Sequence, residues 1–125
     1  MANLGEQLKE IRAAKLAAEQ AAEQARAQAA YDKSQAERKA IQYFWHEYLV
    51  HIHKAIANGK EPTPLRTPMV FFRGNPHITQ SNHPHHDLWL DMRNEAAQLG
   101  LNLFLNFQGD NWGTDRYAEL TVEPI

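Results

Sequence analysis

The 125-residue chain has no cysteine and a formal net charge of −2 with its seven histidines counted neutral. That is room for one domain plus an extension, and it excludes a disulfide framework, a thiol nucleophile and a thiolate metal site. The chain also lacks a whole-chain basic footprint for nucleic acid, an apolar signal core in its opening MANLGEQLKE, and any apolar run near the ~18 residues of a membrane helix. The expectation is a soluble, cytoplasmic protein or a component of a soluble particle.

Residues 6–40 are rich in Ala, Gln, Glu, Lys and Arg, the strongest helix formers. Asn3 is placed to cap the helix, with Glu6 three residues on. No Gly or Pro falls between Gly5 and Gly59, so the helical signal runs unbroken to Asn58. A helix of that length would extend roughly 80 Å at 1.5 Å per residue. Leu4, Leu8 and Ile11 open a seam at 3–4 spacing, and Ala18, Ala22, Ala25 and Ala29 continue it, with Lys15 and Asp32 interrupting. An alanine seam buries little area per residue and stabilises weakly unless backbones approach closely.

The helix changes character near Ala40. All three tryptophans and all five phenylalanines lie after that residue, so a core can form there and not before it. Ile41, Phe44, Trp45, Tyr48, Leu49, Ile52 and Ile56 make a broad stripe at helical spacing. Asn58-Gly59 supplies a left-handed stop. Residues 1–40 are therefore expected to be an alanine-rich helix, coiled-coil-like or partner-binding, and 41–125 a compact α+β domain.

Residues 60–68, KEPTPLRTP, hold three prolines and read as an extended connection. Met69-Val70-Phe71-Phe72 predicts a short buried strand, Arg73 to Pro76 a turn, and His77 to Asn82 a loop. His83-Pro84 predicts the start of a second helix, with Asp87 in its first turn and Leu88, Trp89, Met92, Ala96 and Leu99 on its buried face. Gly100 ends it. Leu101 to Phe107 alternates as a strand, with Leu101, Leu103, Leu105 and Phe107 on one face. After a long loop, Tyr117 to Val122 predicts a last strand, antiparallel to the one before. The order α-β-α-β-β suggests a small, mainly antiparallel three-stranded sheet under two helices.

Three groups of residues could carry chemistry. Four histidines sit between His77 and His86, and imidazole with carboxylate suits zinc and related ions. His83 with His86 or Asp87 could converge across one helical turn. His46 and His53 lie two turns apart on one side of the long helix. Adjacent His85 and His86 diverge by about 100° on a helix, which argues against a preformed site. A polar loop whose imidazoles shield backbone donors is the simpler reading, with a pH-sensitive interface a further one. The 108–116 loop is longer than a hairpin needs and presents Asp110, Asn111 and Trp112, an aromatic anchor for a partner surface. Arg66 and Arg73 near Phe71 and Phe72 raise base stacking. Core phenylalanines beside solvated arginines explain the same residues. Walker-type, GxGxxG, GxSxG and HExxH patterns are missing, and the only serines are Ser34 and Ser81, so nucleophilic catalysis has almost no candidates.

A small cysteine-free chain with a charged Ala/Gln-rich helix before a compact domain is similar in style to bacteriophage accessory and virion proteins. No motif carries that likeness. The expectation is a non-enzymatic assembly protein that self-associates or binds a protein partner through Leu4, Leu8, Ile11, Ala18, Ala22 and Ala25. Two alternatives stay open. One is a metal-dependent hydrolase or nuclease using His83, His86 and Asp87, with His46 or His53 and zinc or another divalent ion. The other is a nucleic-acid-binding accessory protein.

Overall fold

The structure, a computed structural model, describes residues 3–71, 77–108 and 117–125. Its elements run α1 (Leu4–Ala57), β1 (Leu65–Arg66), a 3-10 turn (Met69–Phe71), α2 (His86–Gln98), β2 (Leu101–Gln108) and β3 (Tyr117–Pro124). The three strands form one antiparallel sheet in the order β1-β3-β2. The fold is α+β, as the pattern of periods predicts. By its contacts the chain divides into two units, Met1–Ala36 and Glu37–Ile125.

Among its described residues, the first unit is helix from Leu4 on. Asn3 Oδ1 accepts the Glu6 backbone N–H at 2.8 Å, satisfying one of the unpaired donors of the first turn. Every residue from Asn3 to Lys33 is exposed.

In the second unit, Ile41, Trp45, Tyr48 and Ile52 of α1 are buried. They form one core with Leu88, Trp89, Met92 and Ala96 of α2 and with Leu103 and Leu120 of the sheet. Phe44 meets Phe71 edge-on at 5.4 Å between ring centres, a favoured aromatic geometry. The end of α1 is a Schellman stop: Lys60 N–H reaches the Ala55 carbonyl at 2.8 Å and Gly59 N–H the Ile56 carbonyl at 3.0 Å. Gly59 takes φ +68° there, a conformation that disfavours other residues.

The alternation of β2 is carried through the sheet by its register. Leu103 lies opposite Val122, and Leu105 opposite Leu120, which also faces Leu65. These residues share the core face. Asn102, Phe104 and Asn106 share the outer face with Glu119 and Thr121, and Asn106 Nδ2 donates to Thr121 Oγ1 at 2.8 Å.

Two expectations are corrected. Met69 to Phe71 is a single 3-10 turn rather than a strand, closed by Phe71 N–H on the Pro68 carbonyl at 3.2 Å; Phe72 lies outside the described residues. The third strand comes instead from the proline-rich connection. Leu65 and Arg66 pair with Leu120 and Glu119, and Thr67 N–H extends the pairing to the Ala118 carbonyl at 2.8 Å. Prolines at 62, 64 and 68 lack the N–H that a longer ladder needs, so the strand is short and lies at the sheet edge. The second correction concerns α2, which begins at His86 with His85 as its cap. Pro84 lies in a preceding turn, not at the first helical position.

Candidate functional site

The histidine segment lies at the start of α2 and meets α1 through Glu37 and Arg38. His83 Nδ1 accepts the His85 backbone N–H at 3.0 Å. Its Nε2 is 3.2 Å from the Val70 carbonyl. A carbonyl can only accept, so Nε2 carries the hydrogen and the ring is neutral in one tautomer. Burial pushes the His83 pKa below the usual imidazole value, against the raising pull of the Val70 carbonyl.

His85 is 1% exposed. Its Nε2 lies 2.9 Å from Glu37 Oε2, with Nε2–H donating to the carboxylate. Its Nδ1 is buried with no hydrogen-bond partner among the described residues. His86 Nδ1 donates to the Ile78 carbonyl at 2.8 Å. Asp87 takes a two-pronged bond from Arg38, at 3.0 and 2.7 Å. That fork holds the Asp87 carboxyl below its usual range and raises the Arg38 guanidinium. Bidentate pairing fixes orientation as well as adding attraction. The chemistry of this segment is that of a clasp. Two side chains on α1, the first two residues of the second unit, hold the α2 cap and first turn.

The arrangement does not gather the metal candidates. His83 has both ring nitrogens engaged, His86 has Nδ1 on a carbonyl, and Asp87 is held by Arg38. His46 and His53 are exposed on α1. Among the described residues, no three His, Asp or Glu side chains converge in a way that could hold a metal ion. His51 instead pairs with Thr63 Oγ1 at 3.1 Å. Sequence reasoning overlooked Glu37 and Arg38. They sit 48 and 49 residues from their partners, inside a run of charged helix with no local mark.

The partner-binding candidates Leu4, Leu8, Ile11, Ala18, Ala22 and Ala25 are all exposed on α1, with Leu4 83% and Ile11 64% accessible. Asp110, Asn111 and Trp112 lie outside the described residues. Arg66 stacks over the Tyr117 ring at 4.6 Å, a cation–π contact within the sheet's outer face. No described helix is long and apolar enough to cross a membrane. No protein-family model, curated protein or solved structure matches this chain.

Proposed function

We propose that this is a non-enzymatic assembly protein whose first unit docks on another helix, in a second copy or a protein partner, while the second unit supplies a folded body. The composition's likeness to phage accessory and virion proteins makes a cytoplasmic or particle-borne assembly the setting for that role. One observation supports the reading above the others. Residues 4–33 form a helix that buries none of its side chains, although Leu4, Leu8, Ile11, Lys15, Ala18, Ala22, Ala25 and Ala29 repeat with alternating steps of four and three. Steps of that kind place residues at the a and d positions of a coiled coil, and a lone polar residue such as Lys15 at one of them selects register. Small residues at those positions let two helix backbones approach closely, and in proteins most helical stability comes from packing one face rather than from propensity.

The test is the mass of the protein and the partners it recovers, with and without residues 1–35. Removing them lowers the number of chains per particle or abolishes partner capture, while near-UV signals from the Trp45 and Trp89 core persist. An equal number of chains per particle and equal capture in both forms would overturn the proposal.

A further inference from the structure

β2 lies at one edge of the sheet, and among the described residues it pairs along its length with β3 alone. Exposed edge strands usually carry a charge, a proline or a bulge that blocks pairing with another chain. β2 carries none of these. Its eight residues, Leu-Asn-Leu-Phe-Leu-Asn-Phe-Gln, include no ionisable side chain and no proline.

The same residues read nearly alike in both directions about Phe104. Leu103 mirrors Leu105, Asn102 mirrors Asn106, and Leu101 mirrors Phe107. Laid against a second β2 across a two-fold axis at Phe104, the strand meets like with like. Leu103 faces Leu105 and Leu101 faces Phe107 on the core side. Asn102 faces Asn106, and Phe104 faces Phe104, on the outer side. Opposed residues in an antiparallel pair share a face, so the pairing keeps the apolar set of both copies on one side. Phe104 is 45% exposed, and aromatic pairs across strands are among the favourable ones.

A hollow adjoins the first half of the strand. A cavity of about 280 Å³ is lined by Leu101 to Phe104 of β2 and by Leu90, Arg93, Asn94 and Ala97 of α2. Residues from both faces of β2 line it, so it runs beside the strand edge rather than over one face.

From the absence of charge and proline in this edge strand and from its mirror sequence, we infer that β2 pairs antiparallel with β2 of a second copy. The pairing is centred on Phe104 and makes one six-stranded sheet from two chains. Such an interface is isologous, each copy offering the same patch. It uses none of the residues of the helix seam, so the two can be broken separately.

The experiment uses the full chain. With A18E, A22E and A25E blocking the seam, light scattering should give twice the chain mass of 14.3 kDa. Adding F104K sets two like charges opposite each other and should halve that mass. F104E should do the same, and an equal mixture of F104K and F104E should restore the pair. The chain has no cysteine of its own, so F104C gives an independent readout that keeps nearly all the native surface. Directly opposed residues lie roughly 4.5–5.5 Å apart between Cα atoms, inside the range a disulfide spans. F104C should therefore cross-link under mild oxidation far faster than T121C, which sits one strand further in. A seam-blocked chain of single mass, F104K of unchanged mass, or F104C cross-linking no faster than T121C each overturns the inference. Recovery of a foreign strand on a single-mass chain would also overturn it. If the seam variant alone leaves the mass and the partners unchanged, the helix proposal fails and this inference stands.

Discussion

Between Leu4 and Lys33, α1 buries no side chain; between Ile41 and Ile52 it buries four, Tyr48 and Ile41 completely. The backbone is the same regular helix in both stretches, so the two are stabilised by different causes. The first rests on intrinsic propensity and local pairs such as Gln28 with Asp32, at 2.9 Å. The second rests on a core shared with α2 and the sheet. One helix can thus carry a segment folded by its own domain and a segment whose side chains all stay exposed. The crossover falls where side chains gain volume and where Glu37 and Arg38 find distant partners.

The largest effect should come from the buried stretch. Trp45→Ala removes a large core side chain together with its Nε1–H bond to Glu95, 2.8 Å long. A cost of about 3–5 kcal/mol is expected for such a truncation, read as a sharp fall in the urea midpoint of the second unit. A substitution in the first unit should leave that midpoint where it is.

His83, beside the clasp, adds a pH dependence to the second unit. His83 has its folded pKa depressed by burial below the ordinary 6.5. Below about pH 6.5 the unfolded chain therefore binds a proton that the folded chain resists. Stability of the second unit should be greatest above that pH and should fall on acidification until the folded pKa is passed. In His83→Gln this component of the decline should vanish; an unchanged urea-midpoint profile from pH 7.5 to 5 would show that His83 does not drive it. Tyr48 acts at the other extreme. Burial pushes its phenol up to about 12, and its hydroxyl is buried with no partner among the described residues. Alkali should destabilise the core once the unfolded phenol ionises near its ordinary 10. Tyr48→Phe should remove that loss and leave stability at neutral pH equal or slightly higher.

Ala22→Gly sharpens the comparison from the other side. A local cost of about 1 kcal/mol is expected in an exposed helix interior. It should appear as faster amide exchange around residue 22 and a weaker helical signal, with the second unit melting as before. The smallest effect should follow Arg38→Ala, because Asp87 is 59% exposed and an exposed pair contributes about 1 kcal/mol or less. Adding salt to the native protein should reproduce most of that loss in the melting temperature.

Much of this molecule was legible because its signals are local. The Asn3 cap, the stripe from Ile41 to Ile52, the Gly59 stop and the alternation of β2 each depend on residues within a few positions of one another. Period and propensity report such features directly. The short apolar run at Met69 misled because four apolar residues suit a strand and a buried turn equally. The outcome lay with the hydrogen-bonding needs of Pro68 and of Val70, whose carbonyl takes the His83 ring.

The sequence alone determined that the chain begins as helix without a core and continues as an α+β body, since side-chain volume, period and the absence of breakers are properties of the chain itself. Only the tertiary structure decided that the third strand is Leu65–Arg66, that His85 and Asp87 clasp α1 while His83 and His86 bond backbone carbonyls, and that β2 stands at the sheet edge. Each of those depends on which groups 8 to 55 residues apart meet in space. Hydrogen-bond satisfaction and burial select those meetings, and no local pattern records them.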